Sequence, residues 1–145
     1  AKVANGDVED FTLSDHLDEA PLVLAFFPGA FTPPCTNEMN ALQDNHDGFE
    51  DADATIYGLS ADSAFSLNAF RDEYGFEFDL ISDMSGEVIE DYGLSLDVPE
   101  LGLYGVANRA VFVVDSDGEV TYSWVADDPE NEPDYEELQD AVASA

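Results

Sequence analysis

The chain has 145 residues, with 34 Asp and Glu against 3 Lys and Arg, and so a formal charge of −31 at pH 7. That balance excludes nucleic acid as a partner, because phosphates are bound by clustered Lys and Arg and the strong cations here are Lys2, Arg71 and Arg109. It argues equally against an anionic membrane surface, and with no apolar run of about 18 residues and no signal-like start the sequence reads as a soluble, cytoplasmic protein.

High net charge leads to disorder only when hydrophobicity is low, and 45% apolar with 12% aromatic residues is enough to build a core. At this length a single domain over residues 1–145 is expected, burying roughly 70% of the surface its unfolded chain would expose. With so few cations, carboxylate repulsion must be screened by the solvent. The Debye length falls from about 8 Å at physiological ionic strength to about 3 Å at 1 M salt, so a very salty, halophilic cytoplasm is expected.

In chain order, Leu22–Phe27 (LVLAFF), bounded by Pro21 and Pro28-Gly29, reads as a buried strand. From Thr36 to Phe49 the apolar Met39, Leu42 and Phe49 fit one face of a helix ending near Gly48. Ala54–Ser60 is a second strand. Ser63–Tyr74 is a helix with Phe65, Ala69 and Phe70 facing inward, Ser63 as N-cap and Gly75 as its stop. Phe76–Ile81 is a third strand and Ser85–Tyr92 a short helix closed by Gly93. Ala110–Val114 and Val120–Val125 flank Asp115-Ser116-Asp117-Gly118, which makes a hairpin. The acidic stretch from Asp127 to Pro133 reads as a surface loop, and Pro133–Ala143, with Tyr135, Leu138 and Val142, as a closing helix. This order implies an α/β fold, a central mixed β-sheet flanked by helices, parallel where helices cross over and antiparallel at the hairpin.

Cys35 is the one cysteine, so no intrachain disulfide can form, and the thiol is either an inert core residue or a reactive centre. It stands in Pro28-Gly29-Ala30-Phe31-Thr32-Pro33-Pro34-Cys35, just after the first strand. Thr32 is a good N-cap type and Pro is tolerated in a first turn, so Cys35 falls in that turn whether the helix begins at Pro33 or Pro34. There the free N–H groups and helix dipole favour an anion, and with it a thiolate. The carboxyl end of a strand in an open α/β sheet is also where chemistry is usually placed.

Pro28, Thr32 and Cys35, with Phe26-Phe27 before them and Glu38 after, match P-x-x-x-T/S-x-x-C, and the chain resembles the peroxiredoxins (alkyl hydroperoxide reductase and thiol-specific antioxidant proteins). Asn108–Asp115 with Gly118 is similar to the strand that carries that family's active-site arginine, and Asp10–Leu13, Ser82-Asp83 and Tyr92-Gly93 extend the likeness. The resemblance implies a thioredoxin-like fold and a thiol-dependent peroxidase. Carried over by residue, Cys35 is the peroxidatic nucleophile that becomes a sulfenic acid and Thr32 sets its hydroxyl against peroxide and sulfur. Arg109 stabilises the thiolate and developing oxygen charge, Pro28 shields the sulfur, and Glu38 orients the arginine.

The chain departs from many relatives in lacking a second cysteine. Asn40 stands five residues after Cys35, and the tail beyond Val125 holds no Cys. A one-cysteine mechanism follows, closest to the alkyl hydroperoxide reductase E group, with an external thiol or a thioredoxin- or glutaredoxin-like protein as reductant; a homodimer is also compatible. No cofactor is implied. Asp115-Ser116-Asp117-Gly118 is similar to the start of an EF-hand loop, but its Gly comes early and Ala126 holds the closing Glu position, so it reads as a turn. His16 and His46 stand thirty residues apart with no second cysteine, which disfavours structural zinc. Arg71 reads as a surface residue near Asp72 and Glu73. The alternative to a peroxidase is a thioredoxin-fold sensor, chaperone or binding module. A thiol-transfer protein is disfavoured because C-x-x-C is absent.

Overall fold

The computed structural model describes residues 2–4, 8–128 and 131–145, without the side chains at 33 and 50. In chain order the elements are β1 (Lys2–Ala4), β2 (Val8–Asp10), a 3-10 segment (Leu13–Glu19), β3 (Leu22–Phe26), α1 (Pro33–Asp44), α2 (His46–Asp51), β4 (Thr55–Ser60), α3 (Ala64–Tyr74), β5 (Asp79–Ser82), α4 (Glu87–Asp91), β6 (Ser95–Val98), a 3-10 turn (Pro99–Leu101), β7 (Leu103–Ala107), β8 (Ala110–Val114), β9 (Val120–Val125) and α5 (Tyr135–Ser144). Seven strands form one mixed sheet in the order β2-β1-β5-β4-β3-β8-β9, and β6 and β7 pair separately. The run β3-β4-β5 is parallel, as its helical crossovers require, while β8 lies antiparallel to β3 and to β9.

The pleat of β3 divides the core. Val23, Ala25 and Phe27 enter one cluster with Cys35, Met39 and Leu42 of α1, Leu67 and Phe70 of α3, and Leu138 and Val142 of α5. Leu22, Leu24 and Phe26 enter the other, under α4 and the 3-10 segment, with Phe11, Ile89 and Phe112. Each full burial of a Leu or Phe contributes about 1.5–3 kcal/mol, so a strand buried on both faces anchors the fold and the loop that leaves it. Among the described residues no helix is long and apolar enough to cross a membrane.

Several expectations need correction. The expected helix from Thr36 to Gly48 is two helices, and Gly48 lies inside α2. Asn45 makes the break: its backbone N–H (3.1 Å) and its side-chain Nδ2 (2.7 Å) both donate to the Ala41 carbonyl. The buried face of α3 is Ala64, Leu67 and Phe70, while Phe65 is 77% exposed and Ala69 is also exposed. The cap itself is as read, Ser63 Oγ accepting from the Ser66 N–H and Gly75 closing the helix in the left-handed region at φ 67. Phe76 and Phe78 precede β5 rather than belong to it, stacked on each other with ring centroids 5.3 Å apart. The acidic loop before α5 includes residues 129 and 130, which lie outside the described residues.

Candidate active site

The register of β3 with β8 builds the site. Phe26 faces Ala110, so Arg109, one residue before β8, comes beside the carboxyl end of β3, where the chain turns toward Cys35. The backbone there is pinned: the Ala126 N–H donates to the Arg109 carbonyl (2.9 Å), and Asn108 Nδ2 donates to the Ala126 carbonyl (2.9 Å). Pro33 opens α1 after Thr32, and Cys35 is its third residue. Glu38 follows three residues later, the spacing that sets two side chains on one helix face.

These residues converge in the interior. Arg109 Nη2 donates to Cys35 Sγ at 3.2 Å, and Nη1 donates to Glu38 Oε2. Cys35 and Arg109 are each 1% exposed and Glu38 is 0% exposed. Burial pushes the Glu38 carboxyl up to about 7, from an ordinary 4.5, against the opposing pull of Arg109. For Arg109, burial works against the charge, but Glu38 and the Cys35 sulfur outweigh it and hold the guanidinium above its usual range. Glu38 Oε1 accepts no hydrogen bond among the described residues. The arrangement is thus a buried cation shared between a carboxylate and a thiol sulfur.

Thr32 and Pro28 lie in the loop between β3 and α1, and Pro28 is buried. Thr32 occupies the N-cap position without capping by its side chain; its hydroxyl donates to the Gly29 carbonyl (2.8 Å). The structure therefore brings Cys35, Arg109 and Glu38 into contact and sets Thr32 and Pro28 in the adjoining loop.

Other sequence readings resolve at this level. Arg71 is not paired with Asp72 or Glu73: its Nε donates to the Phe78 carbonyl (3.1 Å) and its Nη2 approaches Asp79 at 3.5 Å. His16 pairs with Glu19 (2.7 Å) and His46 lies 3.1 Å from Glu77. Asp115 shapes the β8–β9 turn, its Oδ1 accepting from the N–H groups of Asp117 and Glu119, each at 3.0 Å. Among the described residues no three His, Cys, Asp or Glu side chains gather to hold a metal ion.

Two neighbours of the site are not among the residues that the sequence assigns to it. Asp62 Oδ2 accepts from the Ala30 N–H (2.8 Å) in the loop before Cys35. Tyr135 packs against the core cluster that holds Cys35, and its hydroxyl donates to Glu132 (2.9 Å). Burial first, then the negative charge of Glu38, raise that phenol above its ordinary range.

A mixed sheet flanked by helices, with a thiol in the first turn of the helix after a central strand, defines a thioredoxin-like protein. Residues 1–123 match the AhpC/TSA family, and the chain belongs to it. It is 33% identical over 132 residues to peroxiredoxin Q of Triticum aestivum, an alignment covering 83% of this chain and 58% of the wheat protein. It is 33% identical over 131 residues to peroxiredoxin Q of Sedum lineare, covering 83% and 68%. The fold is similar to peroxidoxin BcpB of Mycobacterium tuberculosis, with a TM-score of 0.84 and 25% identity over 99% of this chain and 92% of that one. The chain thus spans 58% of the length of the wheat and rice peroxiredoxins Q that it matches.

Proposed function

We propose that the chain is a thiol-dependent peroxidase, acting as a single thioredoxin-like domain by a one-cysteine mechanism. The observation that carries this reading is the Arg109 guanidinium, buried and 3.2 Å from Cys35 Sγ. A guanidinium in the interior, donating to sulfur with one arm and anchored by Glu38 with the other, is a preorganised site for negative charge.

The Cys35 thiolate attacks the terminal oxygen of a peroxide. An S–O bond forms as the O–O bond breaks, the sulfur is oxidised by two electrons to a sulfenic acid, and the departing oxyanion takes a proton from water to leave as water or alcohol. Arg109 stabilises the thiolate and then the charge on the departing oxygen. Glu38 keeps the guanidinium fork in place, the Thr32 hydroxyl faces the incoming oxygens, and Pro28 keeps water from the sulfur. An external thiol then attacks the sulfenic sulfur, expelling water, and a second thiol releases Cys35 by disulfide exchange. A small thiol or a thioredoxin- or glutaredoxin-like protein fits this step, since Cys35 is the chain's one cysteine. The acidic composition supports work in the concentrated salt of a halophilic cytoplasm.

The test is to mix reduced protein with equimolar hydrogen peroxide in high salt and trap the sulfenic acid with a dimedone-type reagent. Modification of Cys35 within seconds is expected, and a thiol unmodified on that timescale would defeat the reading.

A further inference from the structure

The loop that delivers Cys35 is held from an unexpected direction. It spans Pro28–Thr32 between β3 and α1, and Phe31 within it adopts φ 67. That left-handed conformation is unfavourable for a bulky residue with a Cβ, and such a residue persists only where its surroundings enforce it. Within the loop, Thr32 Oγ donates to the Gly29 carbonyl at 2.8 Å. On the far side, the Phe31 ring leans on Phe70 and Tyr74 of α3, with centroids 5.0 and 6.4 Å away, yet remains 48% exposed. The Ala30 N–H, next to the strained residue, donates to Asp62 Oδ2 at 2.8 Å.

Asp62 is itself a rigid post. The same Oδ2 accepts from the Ser60 hydroxyl (2.7 Å), and the Asp62 N–H donates back to Ser60 Oγ (3.2 Å). Its carbonyl accepts from the Ser82 hydroxyl (2.6 Å). Ser60 ends β4 and Ser82 ends β5, and both are buried. The Asp62 side chain therefore ties the carboxyl end of β4 to the loop that follows β3, while its backbone carbonyl holds the residue to the end of β5.

We propose that Asp62 is a positioning residue for Cys35: by gripping the Ala30 amide it holds the strained loop, and so the first turn of α1, where the sulfur meets Arg109. This rests on the reading of Cys35 as the peroxide-reactive thiol. The Arg109–Sγ contact of 3.2 Å leaves little tolerance, since a displacement of about 1 Å can cost about a hundredfold in rate. The grip needs an acceptor at the Oδ2 position and not a charge, so an amide oxygen there should serve nearly as well.

The experiment compares Asp62→Ala, Asp62→Asn and wild type in three measurements: the rate of Cys35 sulfenic acid formation with hydrogen peroxide, hydrogen exchange of the Ala30 amide, and the thermal midpoint. Asp62→Ala is expected to slow oxidation about tenfold to a hundredfold and to speed Ala30 exchange at least tenfold, at a temperature well below its own midpoint. Asp62→Asn should lie within about threefold of wild type in both. Unchanged exchange and oxidation in Asp62→Ala would overturn the proposal, and so would an Asn variant no better than Ala. If wild type itself resists oxidation, the peroxidase reading falls separately; Ala30 exchange and the alkylation rate of Cys35 by iodoacetamide still judge the grip, and both must change in the Ala variant and not in the Asn variant.

Discussion

Arg109 donates to both Cys35 and Glu38, and substitution separates the consequences. In Arg109→Ala the thiol loses its donor, and by analogy with removal of an oxyanion-stabilising group Cys35 oxidation should slow by about two orders of magnitude. Glu38 is also left as a buried carboxyl without its cation, a loss that typically costs about 3–5 kcal/mol while the group stays charged. Burial already places that carboxyl at about 7 with Arg109 attracting it. Without the attraction it moves higher still. A carboxyl whose folded value is raised holds its proton more tightly in the native state, so its contribution is fully present below its unfolded value and is lost as pH rises through its folded one. The thermal midpoint of Arg109→Ala should therefore fall further below wild type as pH rises from about 5 to 9. A pH-independent gap between the two would show that Glu38 does not answer to Arg109. Cys35 and Arg109 could be read from the sequence because they are scarce, Cys35 having no rival and Arg109 being one of 3 cations, and Glu38 through its place three residues after Cys35. Asp62 could not be, being one of 34 acids whose identity is set only by which amide it meets.

At the scale of elements, what could be read depended on how much each segment buries by itself. β3 and β8 are buried at every position and stand out as apolar runs. β2 is exposed throughout, β6 and β7 are partly exposed, and β1 has only three residues, so pairing partners rather than composition define them. The break at Asn45 and the outward turn of Phe65 were hidden for a related reason. One rests on a side chain competing for a backbone carbonyl, the other on a helix phase fixed by its capping residue. Gly58 is a position where elements meet at close range. A Cβ there would lie 2.7 Å from Leu80 Cδ2, 3.1 Å from Met39 Sδ and 3.3 Å from Phe27 Cε1, so β4, β5, α1 and the end of β3 all depend on its absence. Overpacking of this kind costs about 1–3 kcal/mol. Gly58→Ala should lower the denaturant midpoint accordingly, and because Met39 lies one turn beyond Cys35 on α1, it should also slow Cys35 oxidation. A variant as stable as wild type would mean that Leu80 and Met39 have room to yield.

For the whole molecule the governing fact is that each cation is already engaged: Lys2 with Asp10, Arg71 with Asp79, and Arg109 with Glu38. Three cations cannot neutralise 34 carboxylates. Along α5 the exposed Glu136, Glu137 and Asp140 stand three and four residues apart, where side chains come within about 5–6 Å of one another. That separation is inside the Debye length of about 8 Å at physiological ionic strength and outside the length of about 3 Å at 1 M. Repulsion between helical neighbours should thus be felt in dilute buffer and largely screened in molar salt, so stability is expected to rise with salt. For a chain of this size each kcal/mol relieved raises the midpoint by roughly 3–4 °C. Thermal unfolding at pH 7 should move up by many degrees between 0.1 and 3 M KCl, and the same comparison at pH 4, where surface carboxylates are partly protonated, should show a smaller shift. Equal midpoints in the two salts at pH 7 would detach the acidic surface from adaptation to salt. An equal shift at both pH values would assign the stabilisation to salt acting on apolar burial rather than on charge.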